Sequence, residues 1–210
     1  MVLKKTLHFL PTLGYNLTMR YRLSTNTIFP ILLFLFVTGC SDPEFKKDTY
    51  SLDECKEELL ASGDYDHDRG IDRIFVSKKE RKMYLYKEGK VVQSIPVSLG
   101  KNPIGHKQQK GDNRTPEGEF FIHRKLCSPK YYRSLCISYP RPSDMEQAAK
   151  RGVNPGGDIT IHAQPKWNAD GKRDDYTLSR NWTQGCVAVT NDVMKDLWYA
   201  VREGVPVTIE

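Results

Sequence analysis

A thiol and an imidazole stand out in this chain for their settings. Cys186 follows a glycine and opens the apolar run Val187-Ala188-Val189, and His162 closes Asp158-Ile159-Thr160-Ile161-His162. Side chains alternate along a strand, so Ile159 and Ile161 share one face while Thr160 and His162 share the other. Val187 and Val189 likewise share a face, and Cys186 points away from them. Two neighbouring strands with their branched residues in the core would present thiol and imidazole on one common surface. A cysteine nucleophile requires that arrangement: a free thiol has a pKa of about 8.5 and attacks as thiolate, so an adjacent base raises its effectiveness at neutral pH. Gly185 permits a backbone turn closed to other residues, and the N–H groups of Gly185 and Cys186 are candidates to face a developing oxyanion. The same pattern also suits an inert buried cysteine and a strand histidine. A zinc site on Cys186 and His162 lacks the paired close spacings such sites use. A papain-like peptidase would place its cysteine ahead of the histidine, near the mature N-terminus.

Ile161-His162, a gap, and Trp182-Thr183-Gln184-Gly185-Cys186-Val187-Ala188-Val189-Thr190-Asn191 resemble the active-site signature of the YkuD-type L,D-transpeptidases. So do Lys110-Gly111-Asp112-Asn113-Arg114-Thr115-Pro116-Glu117-Gly118 and the opening segment Lys82-Met83-Tyr84-Leu85-Tyr86; the resemblance covers residues 71–210. It implies a mainly β fold, a β-sandwich with a few short helices and a lid over the active-site groove. It also implies attack by Cys186 on the carbonyl that links meso-diaminopimelate to the next D-residue of a peptidoglycan stem peptide. A thioester forms, His162 acts as base and then acid, Gly185 and Cys186 supply oxyanion N–H groups, and no metal or organic cofactor takes part. Thr183, Gln184, Trp182, Tyr139 and Arg114 are the candidate substrate-binding residues. Two departures concern the donor: Gln184 stands where His is common, and Ala188 where transpeptidases usually carry Arg. The run Cys-Val-Ala-Val-Thr-Asn resembles a branch in which some members hydrolyse the link between diaminopimelate and an outer-membrane lipoprotein. A non-catalytic wall-binding lipoprotein is the rival from another class.

The elements that would position these residues read as short strands with a few helices, typical of a mainly β domain. Ile74–Val76, Met83–Tyr86 and Val91–Leu99 are strands, with Glu88-Gly89-Lys90 a turn. Gly100–Gly111 reads as a mobile loop, Glu119–His123 and Ile137–Tyr139 as strands, and Ser143 as the cap of a helix that stops at Gly152. Asp158–Gln164 and Cys186–Val189 are strands, and Ala163–Asn181 is a lid or a surface loop. A helix over Asn191–Glu203 aligns Val193, Met194, Leu197, Trp198 and Val201, and Val205–Ile209 is a last strand.

Ile28–Thr38 is an apolar run preceded by Arg20 and Arg22. At 11 residues it is short for a membrane span, which needs about 20, and reads as an export signal. Val37-Thr38-Gly39-Cys40 resembles a bacterial lipobox, which implies lipidation of Cys40. Residues 1–18 then read as a gene-model extension before Met19, residues 19–40 as the signal peptide, residues 41–70 as a tether with a short helix, and residues 71–210 as the catalytic domain. The expected location is the periplasmic face, lipid-anchored in the membrane and by resemblance the outer one. A net charge of +6 suits an anionic wall or membrane surface. The chain carries no zinc-finger spacing or aromatic–basic interleaving, so nucleic acid is not an expected partner. Cys127 and Cys136 flank a Pro-Lys-Tyr-Tyr loop that a disulfide between them could close, with Cys55 then a half-buried helix thiol; the sequence leaves that pairing open. His67 sits among aspartates but lacks the other ligands and the glycine of a calcium loop.

Overall fold

The computed structural model describes residues 52–60 and 70–210. The leader with Cys40 and the His67 loop lie outside these residues. The alternating segments become eight strands: β1 (Arg73–Ser77), β2 (Lys82–Lys87), β3 (Lys90–Pro96), β4 (Gly118–Ser128), β5 (Tyr132–Ile137), β6 (Thr160–His162), β7 (Val187–Ala188) and β8 (Pro206–Ile209). With them are α1 (Leu52–Leu60), α2 (Pro142–Lys150), α3 (Asp174–Leu178), α4 (Asn191–Ala200) and a 3-10 turn at Lys166–Asn168. The strands run in the order β3-β2-β1-β8-β4-β5-β6-β7. β1 pairs parallel with β8 and β6 parallel with β7, and the other pairs are antiparallel.

Strand β4 belongs to two sheets. Gly118–Phe121 pairs with β8, and Ile122–Ser128 pairs with β5. The register shifts between Ile122 and Arg124, so His123 is an extra residue there, and a bulge of this kind bends a strand. Between β2 and β3, Glu88 and Gly89 both take positive φ (51° and 74°), as a two-residue hairpin turn with the strands' own twist requires. Ile74, Val76, Met83, Leu85, Val207 and Ile209 face inward, and α4 adds Met194, Leu197 and Trp198 to the same apolar cluster. Thr190 caps α4 by accepting the Val193 N–H.

Several boundaries differ from the sequence reading, each for a tertiary reason. The strand read at Ile137–Tyr139 ends at Ile137, because Tyr139 turns away into a cis peptide with Pro140. The N-cap of α2 is Arg141 rather than Ser143; its N–H donates to the Asp144 carboxylate at 2.9 Å. Helix α4 stops at Ala200, since Val201 is extended and wholly buried. Gly100–Gly111 is pinned along its length. The buried Lys78 donates to the carbonyls of Gly105 and Thr115, and Lys107 pairs with Asp112 at 2.8 Å.

The cysteine pairing left open by the sequence is resolved: Cys55 is bonded to Cys127, and Cys136 is a free, buried thiol. Cys127 stands opposite Arg133, and Cys136 opposite Arg124. The two cysteines are an odd number of rungs apart and therefore face opposite sides of the hairpin. The disulfide instead joins β4 to α1. That helix is docked further by Glu58, which accepts from Arg133 Nε at 3.0 Å and from the Tyr199 hydroxyl at 2.7 Å.

Candidate active site

Ile161 pairs with Val187 and His162 with Ala188, so Cys186 falls beside Thr160. The Thr160 hydroxyl donates to the Cys186 sulfur at 3.6 Å, and the thiol donates to the Asp158 carbonyl at 3.6 Å. His162 lies two positions further along the same face of β6. Thiol and imidazole are therefore diagonal neighbours on one surface of the sheet formed by β4 to β7. In this structure the sulfur is turned toward Asp158, and His162 Nε2 has no partner among the described residues.

The histidine has no solvent exposure. Its Nδ1–H donates to the Ala163 carbonyl at 2.7 Å, which fixes the tautomer and leaves the Nε2 lone pair bare. Tyr131, at the tip of the β4–β5 hairpin, stacks on the ring at a centroid distance of 3.8 Å and 19° between planes, and Trp182 meets it edge-on at 5.7 Å. Burial in this aromatic box pushes the His162 pKa down to about 4, against the opposing pull of the Ala163 carbonyl. The carbonyl is held in turn by a buried polar network. Gln164 donates its N–H to Asn191 Oδ1 at 3.0 Å and its side-chain amide to the Val189 carbonyl at 2.8 Å, and Asn191 Nδ2 donates to the Ala169 carbonyl at 2.9 Å.

Cys186 opens into a groove of about 490 Å³ whose walls include Lys107, Lys110, Gly156, Asp158 and Gln184. The walls beside the cysteine come from the Lys107–Gly111 and Asn154–Ile159 segments, and the insertion Ala163–Asn181 supplies none of the lining residues. Tyr139 ties these walls together: its hydroxyl donates to the Pro155 carbonyl at 3.0 Å and reaches the Lys107 carbonyl at 3.5 Å. Burial raises its pKa to about 12.

Of the residues read as substrate contacts, Gln184 is exposed in the groove, and Trp182 packs on His162. Tyr139 is buried with its hydroxyl occupied, which corrects that assignment. Thr183 is corrected similarly: at 3% exposure its hydroxyl donates to the Cys186 carbonyl at 2.7 Å and accepts the Gly185 N–H at 3.1 Å. It shapes the Gly-Cys turn from within. That bond also occupies the Gly185 N–H, so Gly185 does not offer an oxyanion donor in this geometry, whereas the Cys186 N–H donates to no described residue. Gly185 is needed for its backbone. Its φ is +136°, and a Cβ there would sit 2.7 Å from the Arg114 carbonyl oxygen. The Arg114 side chain lies beside Gly105 instead of lining the groove.

Three participants escaped the sequence reading. Tyr131 was legible only as part of a loop, Thr160 only as a face-mate of His162, and Asp158 only as a strand start. One local signal existed for Asp158. An Asp between glycine and a β-branched run tolerates the left-handed backbone, and its φ is +54°.

A family model described as the L,D-transpeptidase catalytic domain, YkuD, matches residues 71–209. The chain is 28% identical to YafK of Escherichia coli (strain K12), whose L,D-transpeptidase name is provisional, over 97 residues that make up 43% of this chain and 36% of YafK. Its structure is similar to that of a variant of Pgp2, the helical cell shape determining protein of Campylobacter jejuni. There the TM-score is 0.50 and the identity 25%, with 76% of this chain and 54% of Pgp2 covered. An Enterococcus faecium L,D-transpeptidase gives a TM-score of 0.45 at 20% identity, covering 67% of this chain and 50% of that one. The match spans about half or less of each relative's own length.

Proposed function

The chain belongs to the L,D-transpeptidase catalytic-domain (YkuD) family, and we propose that it is a cysteine-dependent acyltransferase acting on meso-diaminopimelate-containing stem peptides of peptidoglycan. The observation that carries the reading is the bare Nε2 of His162, held in one tautomer on the face that Cys186 shares. In the strand register Cys186 lies beside Thr160, and His162 is two positions further along the same face. Catalytic hydrogen bonds are commonly loose in a free enzyme and tighten with substrate bound.

A ring that resists protonation leaves the imidazole neutral at rest. Proton transfer is then coupled to attack. The sulfur bonds to the carbonyl carbon of the L-centre of diaminopimelate as its proton passes to Nε2. The oxyanion meets the Cys186 N–H, and the C–N bond to the D-residue breaks as Nε2 returns the proton to the leaving amine. The resulting thioester is then attacked by an acceptor amine, with His162 again taking the proton, and the thiol is regenerated. Thr160 assists by donating its hydroxyl to the sulfur as negative charge develops there.

The same reading places the enzyme outside the inner membrane on a Cys40 lipid anchor at the outer membrane, supported by the lipobox-like Val37-Thr38-Gly39-Cys40 and the apolar run before it. Incubating the protein with tetrapeptide muropeptides and with lipoprotein-linked muropeptides, and reading products by mass against Cys186→Ala, tests the reaction. Loss of the terminal D-residue with new cross-linked dimers is expected. Release of a lipoprotein remnant without dimers would assign the hydrolase instead, and products identical to those of Cys186→Ala would refute both.

A further inference from the structure

The insertion between His162 and Trp182 lines none of the groove at Cys186, and the mechanism uses none of its exposed side chains. Two aromatic rings stand on its surface. Trp167, on the 3-10 turn, is 60% exposed, and Tyr176, on α3, is 47% exposed. Their centroids lie 6.4 Å apart with 74° between the ring planes. The Arg180 guanidinium sits 3.7 Å from the Tyr176 centroid and donates to the Tyr176 hydroxyl at 2.9 Å. The frame beneath the rings is fixed by hydrogen bonds. Asn168, wholly buried, donates from Nδ2 to Asp174 Oδ1 at 2.8 Å, and its Oδ1 accepts the Arg173 N–H at 2.8 Å. The turn bearing Trp167 is thereby tied to the helix bearing Tyr176. Asn191 holds the same turn through the Ala169 carbonyl, and Arg81 donates to the Ser179 carbonyl at 3.2 Å beyond α3. Every other exposed side chain of the insertion is polar or charged.

We propose that Trp167 and Tyr176 form a saccharide platform that takes the glycan strand carrying the stem peptide. This rests on the acyl-transfer reading, which makes the donor a peptide borne on a polymer of amino sugars. The C–H face of a pyranose carries slight positive charge and stacks on the negative face of an aromatic ring. The sugar's rim of hydroxyl and acetamido groups takes hydrogen bonds from a polar surround, in which the Arg180 guanidinium is a donor. Trp and Tyr supply such contact at small entropic cost, because few torsions must be fixed. The exposed parts of the two rings amount to roughly 200 Å². That is about a quarter of the ~800 Å² each partner buries in a stable protein complex, so a second protein fits the patch less well than a sugar. The position suits the length of the donor. A tetrapeptide cut before its last residue places three residues between the sugar and the reacting carbonyl, a reach of roughly 10–15 Å with the sugar linkage included. Trp167 follows His162 by five residues and so lies within about 18 Å of it.

The test gives the full chain two donors, the free tetrapeptide and the same tetrapeptide attached to its disaccharide. The wild type is expected to favour the disaccharide-linked donor by about tenfold in kcat/KM, mostly through KM. Trp167→Ala and Tyr176→Ala should each lose most of that preference while turning over the free tetrapeptide as the wild type does. Tyr176→Phe, which keeps the ring and loses the hydroxyl, should retain it. Equal kcat/KM for both donors in the wild type, or a preference that survives both alanine variants, would overturn the platform while leaving acyl transfer standing. Absence of turnover of either donor by the wild type would refute the acyl-transfer reading alone. Co-sedimentation of Cys186→Ala with glycan strands stripped of peptide then decides the platform. About tenfold weaker binding when Trp167→Ala is added supports it, and unchanged binding overturns it. Self-association lost in Trp167→Ala with glycan binding intact would assign the rings to an interface between copies, which overturns the platform as well.

Discussion

The two faces of the sheet formed by β4 to β7 are built on opposite rules. On the face that receives α1 and α4, polar groups find partners. Arg133 is clamped by Glu58 and ringed by Tyr132, Trp198 and Tyr199, and Cys55 is bonded to Cys127. On the site face, His162 Nε2 and Trp182 Nε1 are buried without partners among the described residues, and Asp158 holds a left-handed backbone. Unsatisfied buried groups and strained backbone each cost about 1–3 kcal/mol. They persist when the surrounding structure over-determines the fold. One face supplies the rigidity that lets the other keep groups ready for a reacting ligand.

The largest test of this contrast is His162→Ala, which should lower kcat/KM by about 10²–10⁴-fold; a loss of less than tenfold in steady-state assays would remove the base from the account. On the opposite face, Cys127→Ala opens a loop of 72 residues and should lower stability by about 4 kcal/mol on chain-entropy grounds. Denaturant titration measures that. Activity per folded molecule should be retained, so a variant that stays folded yet loses turnover would blur the division between the faces.

Asp112 gives a smaller and pH-dependent effect. Burial alone would raise its pKa, but bonds from Lys107 and from the N–H groups of Gln108, Arg114 and Gln109 outweigh burial and bring it down to about 2. A carboxylate depressed in the folded state stabilises above its unfolded pKa, and the stabilisation is lost as pH falls from about 4 to about 2. Asp112→Asn should therefore cost about 2 kcal/mol at neutral pH, with the difference from wild type vanishing across that acid window in urea titrations. A constant difference at all pH values would show that the ion pair with Lys107 is not the source.

The smallest expected change sharpens the picture of the aromatic box. With His162 at about 4, the neutral base is available well below the usual histidine range, so the acid limb of kcat/KM should lie near pH 4. Removing the stacked ring in Tyr131→Ala admits water and should move that limb toward about 6.5, the unperturbed value. An unmoved limb would mean that Tyr131 does not control the ring's environment.

Local pattern carried most of the strand order along the chain and the Cys186–His162 surface. Ile159, Ile161, Val187 and Val189 are all nearly fully buried, and alternation alone placed the thiol and imidazole opposite them. What local pattern could not carry was pairing. Whether Cys127 meets Cys136 or Cys55 depends on the parity of a hairpin register and on where α1 docks, and neither is written in neighbouring residues. The hydroxyls of Thr183 and Tyr139 looked available because their partners, the Cys186 and Pro155 carbonyls, become neighbours only through turns and long-range packing. Tyr131 was hidden for the same reason, since a hairpin tip folding back onto a strand leaves no periodic mark.

The central claim is that Cys186 carries the acyl group. Mass spectrometry of the intact protein after rapid mixing with a tetrapeptide donor tests it most directly. The account predicts a transient adduct of the donor minus its terminal D-residue, localised to Cys186 by proteolysis and absent in Cys186→Ala. Turnover that persists in Cys186→Ala, or an adduct on any other residue, would contradict it.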